Sequence, residues 1–359
     1  MDADISAPSG AGASAAGASG PASSGAGASG PAPSRAVIAG DIGATTSRVV
    51  LARLDRSAPG PDVLAEAEGP GANLRSSGAA ALDHLTGTIR EVLERGHQQL
   101  GRAPEVAALA LGISGAGPAR AEDVRRSVGE RVTALGIAPD RVLITDDLHT
   151  AFLAGDVGDD GLLVLAGTGA VAVRFRGREP VARRDGMGWL LGDIGSAVWL
   201  GRRTLQAVAA DIDGRGRRTL LTEQVGDMLE LDLRDGLIPP SPTGDPRQDL
   251  IRALDEQLPA GAPAALGRFA QLPATVPEDP AARDILDTAI RHVMDTVRAL
   301  DAEAALPVVL AGSVLATPGP IHDEVVTGLQ SDGRPFCAVT TGLPGALLLA
   351  REKAASLEP

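Results

Sequence analysis

Two stretches of the chain share one arrangement, in which a short apolar segment is followed by a glycine turn and a second apolar segment. The arrangement occurs at 36–55, with its turn at 42–46, and again at 161–175, with its turn at 167–169. Short β-branched runs joined by a glycine turn predict β-hairpins. The chain is therefore predicted to contain two successive units that each begin with a hairpin, although the units are not similar enough in sequence to form an internal repeat.

The segments around these hairpins alternate between strand and helix patterns. The run 106–113 is continuously apolar, as is typical of a central strand buried on both faces, and 79–100 has helical spacing. This alternation predicts an α/β fold, with 236–247 as a surface loop. The other predicted strands are 62–68, 142–145 and 306–310, and the other predicted helices are 121–135, 195–210, 218–230, 247–270, 281–302 and 344–356.

The composition limits the classes of protein to which the chain can belong. Its 359 residues carry a formal charge of −13 and give a pI of about 4.9, so we expect neither a nucleic-acid partner nor an anionic membrane surface. Cys337 is the only cysteine and cannot form an internal disulfide, which predicts a cytoplasmic protein. Residues 1–34 are nearly all Ala, Gly, Ser and Pro, which predicts a disordered tail and not a secretory signal.

Lysine usage excludes one common class of nucleotide-binding protein. The only lysine is Lys353, far along the sequence from every glycine turn considered below. Because a P-loop needs a lysine directly after its last glycine, P-loop binding of a nucleotide is excluded. The chemistry must then be sought at glycine turns and carboxylates.

The first hairpin turn has the composition of a phosphate-binding loop. Gly43 allows backbone amides to approach a phosphate closely. Ala44, Thr45 and Thr46 complete the turn, and the two threonine hydroxyls add donors. Asp41, at the end of the preceding strand, can hold a Mg²⁺ ion through water. An ordinary hairpin turn with an exposed aspartate is the alternative for this segment alone.

Two further glycine turns follow later strands. Gly167, Thr168 and Gly169 occupy the corresponding place in the second unit, so two facing hairpins could bind one polyphosphate from both sides. Gly312 and Ser313 follow a late strand and suit the nucleoside end of such a ligand. Each turn by itself is also compatible with a plain connection between two elements.

Asp146 and Asp147 come directly after a predicted strand, at the expected start of a helix. Ligands of open α/β sheets bind beyond the carboxyl ends of the strands, where a carboxylate can accept the proton of an attacking hydroxyl group. One of the two aspartates can instead cap the helix, and both roles can hold together. His149, further into the helix, is more often a packed or surface residue than a ligand.

The segment 186–196 contains four glycines, Asp193 and one of the two tryptophans of the chain. Glycines at this density let a ligand approach the backbone closely. The segment therefore predicts a backbone-lined wall of a pocket, with a structural corner as the alternative.

Taken together, these motifs resemble those of the N-acetylglucosamine kinase and BadF/BadG ATPase family of the actin-like superfamily, and of glucosamine kinases within it. Each motif alone is weak, but the set occurs in the family's order and covers about residues 36–350. The segments that carry the resemblance are 41–46, 112–117, 145–147, 167–169, 188–196 and 311–313.

The resemblance implies an α/β fold of two actin-like, ribonuclease H-like lobes around a central cleft for a nucleotide and a sugar. The lobes would comprise residues 35–150 and 151–343, with a helical insertion at about 210–300. A C-terminal helix at about 344–357 would pack on the first lobe. The lobes would close on the substrates and exclude water from the γ-phosphate.

The resemblance also implies roles for individual residues. The turns 41–46 and 167–169 would bind the phosphates of ATP, 312–313 would lie in the adenosine region, and Asp41 would serve Mg²⁺. Asp146 matches the position of the family's catalytic base. The residues that would contact the sugar are Asn73, Ser114, Gly115, Asp146, Asp147, His149 and Asp193.

One branch of the family is excluded, because its members hold an iron–sulfur cluster with several cysteines and this chain has only Cys337. The expected activity is ATP-dependent phosphorylation of glucosamine at carbon 6 by a homodimer. Glucosamine is preferred because its ammonium group would be favoured near Asp146, Asp147 and Asp193. The alternatives are N-acetylglucosamine or glucose as acceptor, and a regulatory ATPase without a sugar substrate.

Overall fold

Ten strands form two five-stranded mixed sheets in the computed structural model, which describes residues 35–54, 62–72, 78–117, 120–234, 243–258 and 263–358. The strands of the first sheet are β1 (Arg35–Ile42), β2 (Thr46–Arg53), β3 (Val63–Pro70), β4 (Glu105–Ile113) and β5 (Val142–Asp146). The strands of the second sheet are β6 (Gly161–Ala166), β7 (Ala170–Arg176), β8 (Glu179–Asp185), β9 (Val308–Ala311) and β10 (Phe336–Val339).

The two sheets share one topology. The first has the order β3-β2-β1-β4-β5, and the second has the order β8-β7-β6-β9-β10. In each sheet, the first three strands in the sequence pair antiparallel, and the last two are added in parallel on the other side of the first strand. The two hairpins expected from the sequence therefore begin two units of the same construction.

Helices cover the sheets and form an insertion in the second unit. The helices of the first unit are α1 (Gly78–Leu100), α2 (Ala121–Thr133) and α3 (Asp147–Ala154). The later helices are α4 (Ala197–Ile212), α5 (Leu221–Leu229), α6 (Pro246–Gln257), α7 (Leu272–Thr275), α8 (Pro280–Leu300), α9 (Pro320–Ser331) and α10 (Leu343–Ser356). Short 3₁₀ segments lie at Pro139–Arg141 and Pro263–Phe269.

The first sheet is buried on both faces. Ile38, Leu109 and Leu111 face a core formed with α1 and α2. On the opposite face, small side chains such as Ala39 and Ala110 pack against α10, which follows the second sheet in the sequence. The continuous apolar character of β1 and β4 follows from this two-sided burial.

Helices α3 and α10 connect the two sheets. Phe152 of α3 is fully buried and stacks on Phe175 of β7, with 4.2 Å between the ring centroids. Helix α10 lies close against α3, because a Cβ atom at Gly345 would be only 2.0 Å from the carbonyl oxygen of Thr150. Glycine at this position permits the close approach of the two helix backbones.

The predicted α/β fold with two actin-like lobes is confirmed, but not every element was predicted. The predicted helix 247–270 is wrong: α6 ends at Gln257, where Leu258 is extended before Pro259, since a residue before proline disfavours the helical conformation. Strands β8 and β10 and helices α7 and α9 had no prediction. The predicted tail 1–34 and most of the predicted loop 236–247 lie outside the described residues. The lobe boundary at 150/151 stays a prediction.

Within the described parts of the chain, no helix is both long enough and apolar enough to cross a membrane.

Candidate active site

Two contiguous cavities lie where the ends of the two sheets face each other. The larger cavity has a volume of about 550 Å³ and the smaller about 210 Å³. They share four lining residues, which are Ser114, Asp147, Leu165 and Gly169. Ligands in the two cavities would therefore meet at these residues.

The smaller cavity is lined by the turns that the sequence predicts to bind phosphate. Its predicted lining residues are Asp41, Gly43, Ala44, Thr46, Thr168, Gly169 and Gly312. Gly312 has a φ of +81°, and a Cβ atom there would be 2.4 Å from the carbonyl oxygen of Ala166. The turn after β9 can therefore lie against the turn after β6 only because residue 312 is glycine. Thr45, Gly167 and Ser313 are predicted residues that do not line this cavity.

Asp41 is anchored by a turn that the sequence analysis missed. Its Oδ2 accepts hydrogen bonds of 2.7 Å from the Thr341 hydroxyl and from the Gly342 amide, between β10 and α10. Both residues also line the smaller cavity. The available signal was the run Thr340-Thr341-Gly342 directly before a predicted helix, which has the composition of a helix start.

Asp146 has one oxygen in a helix cap and the other beside the larger cavity. Its Oδ1 accepts a hydrogen bond of 3.0 Å from the Leu148 amide and so caps α3. Its Oδ2 points toward Gly117, where a Cβ atom would lie at 3.3 Å. Both Asp146 and Gly117 line the larger cavity. Asp146 thus combines the two roles that the sequence left open, since capping needs only one of the two carboxylate oxygens.

Asp147 lines both cavities at their junction. Burial and the neighbouring carboxylates of Asp146 and Asp41 raise the pKa of Asp147 well above its ordinary value. Ser114 lies beside it and opposes part of this shift by hydrogen bonding.

The remaining predicted sugar contacts fall into three groups. Ser114, Gly115 and Asp193 line the larger cavity together with Asp146 and Asp147. His149 lines neither cavity: its Nδ1 lies 3.2 Å from the Thr145 hydroxyl, and burial lowers its pKa. Asn73 lies outside the described residues.

The wall at 186–196 is built partly as predicted. Gly186, Gly188 and Asp193 line the larger cavity, whereas Met187, Leu190 and Leu191 are largely exposed to solvent. Asp193 is a buried residue with a φ of +54°, and its Oδ1 accepts a hydrogen bond of 3.1 Å from the Gly188 amide. Burial raises the pKa of Asp193.

Two arginines that the sequence analysis did not select also line the larger cavity. Arg120 precedes α2 and Arg183 lies near the end of β8. Neither guanidinium forms an ion pair with another described residue. Isolated arginines in a linker or on an exposed strand carry no sequence signal that would mark them as site residues.

The residues of the smaller cavity fit a nucleotide with Mg²⁺. Glycine turns expose backbone amides to phosphate oxygens, and the close approach at Gly312 shows that this space depends on the absence of side chains. The carboxyl groups that line this cavity are those of Asp41 and Asp147. Carboxylate oxygens in small number suit Mg²⁺, which keeps several water and phosphate ligands.

Two sheets of identical strand order around one ligand cleft are the arrangement of the actin-like fold. The chain belongs to the BadF/BadG/BcrA/BcrD ATPase family, whose model matches residues 40–332. The resemblance expected from the sequence motifs is thereby confirmed.

Curated relatives of this chain include two kinases. An N-acetylmuramic acid/N-acetylglucosamine kinase of Clostridium acetobutylicum is 28% identical over 204 residues, which cover 56% of this chain and 62% of the kinase. The match thus spans less than two thirds of that relative. An N-acetyl-D-glucosamine kinase of Dictyostelium discoideum is 29% identical over 269 residues, which cover 72% of this chain and 81% of that kinase.

Among solved structures, a Chromobacterium violaceum protein provisionally named N-acetylglucosamine kinase superposes with a TM-score of 0.67. The sequences are 27% identical, and the match covers 88% of this chain and 99% of that chain.

Proposed function

We propose that the protein is a cytoplasmic, homodimeric kinase that transfers the γ-phosphoryl group of ATP to a hydroxyl group of an N-acetylated hexosamine, with N-acetylglucosamine as the preferred acceptor. The observation that carries this proposal is the contact between the two cavities at Ser114, Asp147, Leu165 and Gly169. One cavity has the glycine turns suited to phosphate. The other has the polar residues suited to a sugar.

In this arrangement, Asp146 accepts the proton of the attacking sugar hydroxyl through Oδ2. The hydroxyl oxygen forms a bond to the γ-phosphorus while the bond from that phosphorus to the β–γ bridging oxygen breaks, and ADP leaves. The helix cap through Oδ1 fixes the orientation of the carboxylate. A base held in this way typically contributes about 10²–10⁴-fold to the rate.

The other residues bind and orient the substrates. Backbone amides of the turns at Gly43 and Gly169 hold phosphate oxygens, and Asp41 and Asp147 would hold Mg²⁺ through water. When bound, Mg²⁺ neutralises charge on the phosphate oxygens. Ser114, Gly115 and Asp193 orient the sugar in the larger cavity.

Two observations favour an acetylated amino sugar over glucosamine. The expectation of glucosamine rested on three ionised carboxylates around its ammonium group. Arg120 and Arg183 line the same cavity and add positive charge that opposes the binding of an ammonium group. In addition, both curated relatives are named for N-acetylated sugars.

Release of ADP from ATP, measured with N-acetylglucosamine, glucosamine, glucose and no sugar, tests the proposal. We expect kcat/KM for N-acetylglucosamine to exceed that for glucosamine by at least about tenfold, a difference of about 1.4 kcal/mol in transition-state binding. ADP release that does not depend on any sugar would instead support the regulatory ATPase.

A second acceptor, an N-acetylated hexosamine that carries a carboxylate, is favoured by the two arginines of the larger cavity. Arginine binds carboxylates through two parallel hydrogen bonds. Arg120 precedes α2 of the first unit and Arg183 lies on β8 of the second sheet, so each of the two units contributes one guanidinium group to the cavity. The name of the Clostridium kinase includes a sugar of this kind, N-acetylmuramic acid.

Substitution of Arg183 separates the two acceptors. We expect Arg183→Gln to lower kcat/KM for N-acetylmuramic acid at least about tenfold while changing that for N-acetylglucosamine less than about threefold. Arg184→Gln is the matched control, because Arg184 is the next residue of β8 and does not line this cavity. An equal loss of kcat/KM for both sugars would show that Arg183 does not recognise the carboxylate and would reject the carboxylate-bearing acceptor.

A further inference from the structure

The carboxylate of Asp185, the last residue of β8, receives four hydrogen bonds. Its Oδ1 accepts from the amides of Asp193 at 2.7 Å and Met187 at 3.5 Å. Its Oδ2 accepts from the Ile194 amide at 3.0 Å and lies 3.1 Å from Nε2 of His292. The side chain is only 8% exposed. A buried carboxylate in this setting stabilises the backbone that donates to it.

The loop from 186 to 194 is shaped around this carboxylate. Asp185 and Asp193 both have positive φ, at +59° and +54°, a conformation that residues with a side chain seldom adopt. Gly192 has no room for a side chain, because a Cβ atom there would be 2.3 Å from the Asp185 Oδ1. The Asp185 carboxylate therefore stabilises a loop that contains two residues with positive φ and a glycine that has no room for a side chain.

Asp193 connects this loop to the residues that line the two cavities. Its Oδ1 accepts from the Gly188 amide, and its Oδ2 would be 3.0 Å from a Cβ atom at Gly169 in the phosphate turn. The Ala170 amide also hydrogen-bonds to Asp193. The Asp193 carboxylate thus joins the loop that lines the larger cavity to the turn that lines the smaller one.

We infer that Asp185 is a positioning residue, which fixes the backbone of Asp193 and so sets the wall of the sugar cavity against the phosphate turn. This inference rests on the proposed function, since it assigns the larger cavity to the sugar. Asp185 lines neither cavity itself and acts only through the loop. His292, on α8, completes the set of hydrogen-bond donors to Asp185 and connects the loop to the helical insertion.

The variant Asp185→Asn tests this inference without changing the backbone preference, because asparagine also tolerates positive φ. The amide group keeps one acceptor oxygen but turns a donor toward groups that are themselves donors. We expect KM for N-acetylglucosamine to rise at least about tenfold, with KM for ATP changed less than about threefold.

A conservative and a non-conservative variant of His292 test the role of its hydrogen bond to Asp185. His292→Gln can still donate a hydrogen bond to the Asp185 carboxylate, whereas His292→Leu cannot. We expect the sugar KM of His292→Gln to stay within about threefold of the wild type and that of His292→Leu to rise beyond it.

The matched control is Asp279→Asn, at the N-cap of α8. Asp279 is also buried and accepts from the amides of Leu220, Ala281 and Ala282, but it lines neither cavity. The Asp279→Asn substitution should lower the stability of the fold and leave the KM for the sugar unchanged. An Asp185→Asn protein with unchanged sugar KM overturns the inference, provided that the wild type phosphorylates N-acetylglucosamine.

Hydrogen exchange gives a readout that does not depend on the acceptor. The amides of Asp193 and Ile194 should exchange at least about tenfold faster in Asp185→Asn than in the wild type, and should be unchanged in Asp279→Asn. Unchanged exchange at these amides would refute the positioning role even if no sugar is a substrate. Faster exchange in a protein inactive on every sugar would leave the positioning intact and reject the proposed function instead.

Discussion

Adjacent aspartates at the end of β5 illustrate how two like residues acquire different properties. Asp146 is the cap of α3 and keeps one oxygen at the larger cavity, whereas Asp147 is the first residue of the helix and lies at the junction of both cavities. The sequence shows that both follow a strand. It does not show which carboxyl group has the raised pKa, because that shift comes first from burial in the folded site and is modified by Asp41 and Ser114, from distant parts of the chain.

The variants Asp146→Asn and Asp147→Asn distinguish the two carboxyl groups. Asp146→Asn should lower kcat at least about a hundredfold, because asparagine cannot accept the hydroxyl proton. ATP binding, measured by calorimetry, should be retained, since Asp146 does not line the smaller cavity. An inactive Asp147→Asn beside a nearly normal Asp146→Asn would show that the base is Asp147.

The candidate site was predictable where a motif follows a strand, and not where a residue enters from a distant part of the chain. The turns at 41–46 and 167–169 have local glycine signals, and both reach the smaller cavity. Arg183 lies on an exposed strand and has no such signal, and the glycine signal at Thr341 and Gly342 follows β10, a strand that had no prediction. His149 shows the converse error, since it is close to Asp146 in the sequence but turns toward Phe175, with 6.2 Å between the ring centroids.

At the scale of elements, the central strands β1, β4 and β6 were predicted, whereas the exposed edge strand β8 was not. Strands β1, β4 and β6 are apolar along most of their length because helices pack on both faces of the sheets. Strand β8 is exposed along nearly its whole length and contains Pro180 and two arginines. Its extended form comes from pairing with β7, which is a tertiary contact and leaves no periodicity in the sequence.

The end of β8 should make stability depend on pH in the acidic range. Burial by itself raises the pKa of Asp185. Hydrogen bonds from His292 and from the amides of Asp193, Ile194 and Met187 outweigh this effect and lower the pKa to about 2. Because the folded-state pKa lies below the unfolded value, the contribution is complete above about pH 4 and is lost as the pH falls through about 2. It amounts to about 2 kcal/mol.

Thermal unfolding of the wild type and of Asp185→Asn between pH 7 and pH 2 measures this contribution. The variant should unfold at a lower temperature at pH 7, and the difference should shrink as the pH falls from 4 to 2. A difference in Tm that stays constant over this range would show that the ionised carboxylate of Asp185 does not stabilise the fold.

At the scale of the whole molecule, the order of elements in space differs from their order in the chain. Helix α10 follows the second sheet but covers a face of the first, where Val37, Ala39 and Ala110 pack against Ala346 and Ala350. It also lies against α3, whose Leu148 and Phe152 pack on the second sheet. These two helices therefore join the halves that the sequence analysis treated as successive units.

The contact between α3 and α10 should be sensitive to a single side chain. Gly345→Val would place a Cβ atom 2.0 Å from the Thr150 carbonyl oxygen, and neither helix backbone can yield without moving the other. Overpacking of this kind costs about 1–3 kcal/mol or more, and Tm should fall by several degrees. Gly87→Val, at a helical glycine with open space around it, is the control and should leave Tm nearly unchanged.

The position of α10 has a consequence for the chain as it leaves the ribosome. All five strands of the first sheet have emerged once residue 146 is free, yet the helix that covers one of its faces ends only at residue 356. At a synthesis rate of roughly 5–20 residues per second, that alanine- and valine-lined face stays without helix α10 for on the order of ten to forty seconds. One face of the first sheet in a growing chain is thus exposed until synthesis of the second lobe is almost complete. A protein that binds apolar surfaces transiently would bind at this face.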